Sequence, residues 1–131
     1  MDTTTDHSTV LVMDDDEDVR FIAGIMLKRL DLNAVFAESG TEAVACYQKA
    51  LSEGKRFCAV ILDLNIPGNM GGEEAVKLLR AIDPEVKAYV SCGNPYDPVM
   101  EDPTAYGFIG AISKPFHADQ LQLLLGQQTS P

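Results

Sequence analysis

The sequence predicts an α/β fold, in which a doubly wound, five-stranded parallel sheet is covered by helices on both faces. Strand-like and helix-like segments alternate along the 131 residues, and this length suits one domain. Alternation of this kind produces a parallel sheet. Right-handed crossovers then favour a three-layer α/β/α sandwich.

Five segments are predicted to be strands because they are short and mostly apolar. Segment 58–62 is the most apolar and is followed by Asp63, after which comes an irregular stretch rich in Pro and Gly. Segment 33–37 is the weakest of the five. The remaining predicted strands are 9–13, 86–91 and 109–112.

Five further segments are predicted to be helices. In 19–30 the apolar residues recur at helical spacing, and acidic residues precede them while basic residues close the segment. Asp97 and Pro98 predict the start of a fourth helix, which Pro103 should break within about two turns. The other predicted helices are 40–51, 73–82 and 118–125.

Composition narrows the possible functions. A net charge of −10 argues against direct binding to nucleic acid. No apolar run is long enough to span a membrane and no signal peptide is recognisable, so we expect no membrane contact. Three cysteines without metal-type spacing favour a reduced, cytoplasmic protein. Residues 1–7 and 128–131 are predicted to be disordered tails around a domain at 8–127.

Polar residues lie at the carboxyl ends of four of the predicted strands. Asp14, Asp15 and Asp16 follow the first strand, Asp63 follows the third, Ser91 ends the fourth and Lys114 comes after the fifth. Because the carboxyl ends of parallel strands meet at one edge of the sheet, these side chains should share a crevice.

The expected chemistry is phosphoryl transfer assisted by a metal ion. Crowded carboxylates such as Asp14, Asp15 and Asp63 cannot all stay ionised without a cation, and oxygen ligands select Mg²⁺ or Mn²⁺. Lys114 and the Ser91 hydroxyl could stabilise charge on a phosphoryl group. Asp63 is the best-placed nucleophile, because carboxylates form acyl phosphates in enzymes.

These segments resemble the receiver domain of two-component response regulators. The resemblance rests on 10–16, 60–67, 90–91 and 114–116, and it covers about residues 8–127. The longer piece 63–73 is similar to the version found at the ends of many hybrid sensor histidine kinases. The family has a flavodoxin-like (βα)5 fold with strand order 2-1-3-4-5.

The resemblance implies a role for each site residue. Asp63 would be the phosphoacceptor, charged by a phosphohistidine of a sensor histidine kinase or histidine phosphotransfer domain. Asp15, Asp63 and the backbone carbonyl of Asn65 would bind Mg²⁺ directly, and Asp14 through a metal-bound water.

Two further positions contact the phosphoryl group in the family. Ser91 would donate a hydrogen bond to it and Lys114 would form an ion pair with it. The Lys114–Pro115 peptide would be cis. The domain would catalyse only its own phosphorylation and dephosphorylation, and it would signal by a conformational shift.

Two departures from the family pattern concern signalling. The loop after Pro67 is one residue longer than the commonest pattern. Ala111 stands where a switch Tyr or Phe is usual, three residues before Lys114. The usual coupled movement of hydroxyl and aromatic residues therefore cannot run in that form, and Pro103 makes the output face atypical.

Other interpretations remain open. A pseudo-receiver that only binds partners would normally have lost an acid or the lysine. A haloacid-dehalogenase-like phosphatase would need a second acid at position 65, which is Asn, and a cap domain. Asp16 is expected to be a solvated residue or a helix N-cap rather than a ligand.

Overall fold

Five parallel strands form one sheet in the computed structural model, which describes residues 4–125. Their order is β2-β1-β3-β4-β5, which confirms the predicted doubly wound topology. The strands are β1 (Thr4–Met13), β2 (Asn33–Ala37), β3 (Lys55–Asp63), β4 (Ala88–Cys92) and β5 (Gly110–Ser113).

Helices follow each strand, as predicted. They are α1 (Glu17–Arg29), α2 (Gly40–Ser52), α3 (Gly72–Ile82), α4 (Pro98–Glu101) and α5 (Ala118–Leu125). A 3₁₀ segment, Pro103–Tyr106, comes directly after α4. The Asp97 carboxylate caps α4 by accepting from the Val99 amide, and Pro103 limits the helix to about one turn, as expected.

Two apolar layers hold the helices against the sheet. Val60 and Leu62 of β3 point to the layer formed with α2, α3 and α4. Ala59 and Ile61 point to the opposite layer, formed with α1 and α5. This alternation with period 2 explains why the whole of the predicted strand is apolar, since both faces of β3 are buried.

The amino-terminal part of β1 corrects the predicted tail at 1–7. Thr4 and Thr5 pair with the first residues of β3, and the Thr4 amide donates to the Gly54 carbonyl at 2.9 Å. The pairing is possible because β3 begins at Lys55, earlier than predicted. Polar, β-branched Thr residues add to a strand without producing an apolar signal. Residues 1–3 and 128–131 of the predicted tails lie outside the described range.

A largely buried polar network joins α2, the start of β3 and the end of α3 near the amino-terminal ends of the strands. Asp83 Oδ2 accepts from the Tyr47 hydroxyl at 2.7 Å and from Arg56 Nε at 2.6 Å. Asp83 Oδ1 accepts from Arg56 Nη2 and from the Glu85 amide, both at 3.1 Å. Burial alone would raise the pKa of Asp83, but the hydrogen bonds from Arg56 and Tyr47 outweigh it and lower that pKa.

None of the helices within residues 4–125 has the length and apolar character needed to cross a bilayer. None of the three cysteines, which all lie within the described residues, forms a disulfide bond. Cys58 and Cys92 are buried, and Cys46 is partly exposed.

Candidate functional site

The carboxyl edge of the sheet gathers residues from four different strand ends. Asp14 directly follows β1, Asp63 ends β3 and Lys114 directly follows β5. Ser91 of β4 stands opposite Asp63 in the parallel register. The convergence expected from the strand ends is therefore present.

Lys114 joins two of the carboxylates. Its Nζ lies 2.6 Å from Asp14 Oδ2 and 3.2 Å from Asp63 Oδ2. Burial alone would lower the pKa of Lys114, but the bond to Asp14 and the charge of Asp63 raise it. The ammonium group is thus held in its charged form at the centre of the site.

Asp14, Asp15 and Asp63 form one group of oxygen donors. Each offers a carboxylate oxygen, and these oxygens lie within 4.8 Å of one another. Asp14 and Asp63 are buried, whereas Asp15 is exposed at the mouth of the site. Asp16 instead caps α1 by accepting from the amides of the residues two and three positions later.

The surroundings of Asp63 disfavour the ionised form of its carboxyl group. Burial raises its pKa first and the negative charge of Asp14 raises it further, while Lys114 and the Asn65 amide act in the opposite direction. The Asn65 amide donates to Asp63 Oδ1 over a long 3.4 Å. The carboxylate therefore lacks a full set of partners for its charge.

The backbone of Asp14 is fixed on both sides. Its amide donates to the Ala37 carbonyl at 3.0 Å, and its carbonyl accepts from Arg20 Nη1 at 2.8 Å. Arg20 was not singled out from the sequence. Its partner is a main-chain oxygen, so no side-chain pattern could have indicated the contact.

Ser91 carries a hydroxyl with unused hydrogen-bonding capacity. The residue is fully buried, and its Oγ has no hydrogen-bond partner within residues 4–125. A buried hydroxyl without a partner is unfavourable, so this atom is available to a ligand that enters the site.

Glycines allow α3 to begin close to the acidic cluster. A Cβ at Gly72 would lie 2.9 Å from the Asp63 carbonyl oxygen, and one at Gly71 would overlap the Leu64 carbonyl. Only Gly fits these positions without movement of the backbone. Gly68, at φ +76°, supplies a left-handed turn in the same loop.

Cys92 is a second neighbour of the site that was not assigned a role from the sequence. Its Sγ accepts from Asn65 Nδ2 at 3.6 Å and from the Asn94 amide at 3.4 Å. Two loops that flank the site, one after β3 and one after β4, are thereby linked through a single sulfur atom.

One further expectation is tested near Lys114. The Lys114–Pro115 peptide is cis, which confirms that prediction. Ala111, the position that departs from the family pattern, is partly buried in β5 and pairs with Val90.

Comparison with known proteins agrees with this geometry. The model of the response regulator receiver domain matches residues 10–125. A response regulator receiver protein of Anaeromyxobacter sp. is 32% identical over 80% of this chain and 42% of its own length. The chain spans 15% to 42% of the length of the curated relatives it matches.

Solved structures show the same fold. The chemotaxis protein CheY4 of Vibrio cholerae aligns with a TM-score of 0.79 and 28% identity, over 92% of this chain and 97% of that one. The receiver domain of the sensor histidine kinase PA1611 of Pseudomonas aeruginosa aligns with a TM-score of 0.79 and 21% identity, over 92% of this chain and 96% of that one. That structure holds a magnesium ion in its active site cleft. The chain therefore belongs to the response regulator receiver domain family.

Proposed function

We propose that this domain accepts a phosphoryl group on Asp63 from a phosphohistidine, in a reaction that requires Mg²⁺. The donor is a sensor histidine kinase or a histidine phosphotransfer domain. The observation that carries the proposal is the Lys114 ammonium within 3.2 Å of two buried carboxylates, Asp14 and Asp63, from two other strands.

The donor set fits a hard divalent cation. Three carboxylates and one ammonium group leave two negative charges uncompensated in a partly buried cleft, and all the donors are oxygens. Asp15, Asp63 and the Asn65 carbonyl are the proposed direct ligands, with Asp14 acting through a metal-bound water. Mn²⁺ would satisfy the same donors. Bound there, the ion would neutralise charge on the incoming phosphoryl oxygens.

Within the chain, Asp63 supplies the nucleophile. One of its carboxylate oxygens attacks phosphorus, the phosphorus–nitrogen bond of the donor breaks, and the imidazole leaves with the electron pair. The imidazole departs as a neutral group when its other nitrogen already carries a proton. Attack of water on the acyl phosphate later breaks the oxygen–phosphorus bond, which releases inorganic phosphate and restores the carboxylate.

Two other residues stabilise the transferring group. Lys114 Nζ donates to one phosphoryl oxygen and the Ser91 hydroxyl to another, so that the free Oγ of Ser91 gains a partner. Lys114 then exchanges one carboxylate contact for the phosphoryl oxygen. This loss of a contact within the site provides a local trigger for a conformational shift.

The signalling step differs from the usual pattern. Ala111 has no ring to swing inward, and α4 is only one turn long. We propose that the shift is carried by movement of the loops around Ser91 rather than by an aromatic residue.

The surface charge indicates what the partner looks like. A net charge of −10 is complementary to a donor with basic residues around its phosphohistidine. We place this encounter in the cytoplasm, where the cysteines, which form no disulfide, stay reduced.

Phosphorylation is tested by incubating the protein with Mg²⁺ and acetyl phosphate or phosphoramidate and measuring its intact mass. We expect a labile gain of about 80 Da, the mass of one phosphoryl group, that requires both Mg²⁺ and Asp63. Asp63→Asn should abolish the gain. Asp31→Asn is the matched control, because Asp31 is exposed at φ 62°, a conformation that Asn adopts readily.

Absence of an adduct with normal Mg²⁺ binding would contradict the proposal and favour a pseudo-receiver. Continuous turnover of a phosphate ester would instead favour a phosphatase.

A further inference from the structure

The Cys92 thiol lies where two loops of the site come together. The residue ends β4, directly after Ser91, and is 2% exposed. Its sulfur contacts Asn65 in the loop between β3 and α3 and Asn94 in the loop between β4 and α4. These contacts place it behind the loop that carries the proposed metal-binding carbonyl.

Asn65 has few other anchors. Its amide reaches Asp63 Oδ1 over 3.4 Å, and that carboxylate changes its charge and its partners during the reaction. The preceding residue is better fixed, since the Leu64 amide donates to the Ser91 carbonyl at 2.9 Å. The contact with Cys92 therefore holds Asn65 independently of the state of Asp63.

The loop is packed mainly through its apolar residues. Leu64 and Ile66, on either side of Asn65, are buried in an apolar layer, whereas Asn65 itself is exposed and borders a cleft with a volume of about 400 Å³. The cleft is lined by Leu64, Asn65, Ile66, Pro67, Asn69 and Gly71. The exposed Asn65 side chain therefore depends on its hydrogen bond to Cys92 more than on packing.

We infer that Cys92 is a positioning residue for the Mg²⁺ site: its sulfur holds the Asn65 side chain and thereby aims the Asn65 carbonyl at the metal. This inference rests on the proposed function, because it takes Asn65 as a metal ligand. The bond to the Asn94 amide fixes the sulfur in turn, and it couples the metal-binding loop to the segment that leads into α4. Groups that orient metal ligands commonly affect metal affinity.

The competing explanation is that Cys92 only fills space in the core, as buried cysteines often do. Cys58 provides the matched control. It is also 2% exposed, but it lies in β3 and packs in the opposite apolar layer. Cys92→Ala and Cys58→Ala remove the same atom from equally buried positions, but of the two only Cys92 contacts Asn65.

The test has two readouts that do not need phosphorylation. Mg²⁺ affinity is measured by calorimetric titration, and the order of Asn65 is measured by nitrogen-15 relaxation of its backbone and side-chain amides in the metal-free protein. We expect Cys92→Ala to weaken Mg²⁺ binding about three- to tenfold and to raise the mobility of Asn65. Cys92→Ser keeps an acceptor and should recover part of both losses. Cys58→Ala should change neither.

An unchanged affinity in Cys92→Ala would overturn the inference, as would equal losses in Cys92→Ala and Cys58→Ala or no recovery in Cys92→Ser. In all of these cases the wild-type protein still binds Mg²⁺, so the proposed function stands. A wild-type protein that does not bind Mg²⁺ would overturn both.

Discussion

The network of Tyr47, Asp83 and Arg56 should be strongly coupled, and a double-mutant cycle can measure this. Asp83→Ala removes the acceptor shared by the other two side chains. Tyr47→Phe removes one hydroxyl and leaves the carboxylate with Arg56 and the Glu85 amide. The two substitutions therefore remove one shared contact by different routes.

The expected magnitudes follow from burial. Tyr47 is fully buried, so losing its acceptor costs about 1–3 kcal/mol for an unsatisfied hydroxyl. The Arg56 side chain is 17% exposed and can be partly hydrated. Leaving it without the Asp83 carboxylate should therefore cost less than the about 3–5 kcal/mol expected when a fully buried ion pair is broken. Asp83→Ala should therefore cost about 3 kcal/mol in the free energy of unfolding, and Tyr47→Phe about 1 kcal/mol.

The informative result is the effect of Tyr47→Phe in the Asp83→Ala background. There the hydroxyl has already lost its acceptor, so removing it should be neutral or stabilising. Chemical denaturation of the four proteins gives the coupling energy, which we expect to be at least about 1 kcal/mol. A Tyr47→Phe cost that is the same in both backgrounds would refute this account of the network.

The same network predicts the sign of a pH dependence. The folded state lowers the pKa of Asp83, so its contribution is fully present above the unfolded value of about 3.9 and is lost as pH falls through the folded pKa. The difference in stability between wild type and Asp83→Ala should therefore shrink below about pH 4. A difference that stays constant or grows on acidification would contradict this assignment.

Three further predictions separate the roles of residues around the site. Asp15→Asn should weaken Mg²⁺ binding at least about tenfold, whereas Asp16→Ala should leave Mg²⁺ binding unchanged and destabilise α1 by about 1 kcal/mol. Mg²⁺ titration and thermal unfolding measure the two effects, and equal behaviour of both variants would contradict these roles. Lys114→Met should slow phosphorylation by acetyl phosphate about 100-fold, and a rate close to wild type in time-resolved mass measurements would contradict its role. Ala111→Tyr should leave that rate nearly unchanged, because Ala111 makes none of the proposed phosphoryl contacts; a large loss would contradict the separation of chemistry from switching.

The parts of the molecule that could be predicted depend on local pattern. Residues 58–62 are all apolar, and this composition predicts the burial that they have in β3. The predicted bounds of β2 and α5 agree with the structure. The gathering of Asp14, Asp63 and Lys114 was predictable because the direction of parallel strands alone brings their ends together.

What could not be predicted depends on tertiary contacts. The predicted helix 73–82 ends directly before Asp83, but the hydrogen bond between Asp83 and Tyr47, 36 residues away, leaves no local trace in the sequence. The role of Cys92 likewise depends on two loops meeting at its sulfur. The early start of β1 at Thr4 was missed because polar strand residues look like a tail.

Chemical trapping of the phosphorylated residue shows whether Asp63 is the phosphoacceptor. The protein is phosphorylated by acetyl phosphate with Mg²⁺, reduced with borohydride, digested and mapped by mass spectrometry. An acyl phosphate on Asp63 predicts conversion of that residue to homoserine, only when both Mg²⁺ and the phosphodonor are present. Homoserine at another aspartate, or unmodified Asp63 in a protein that binds Mg²⁺ normally, would show that Asp63 is not the phosphoacceptor.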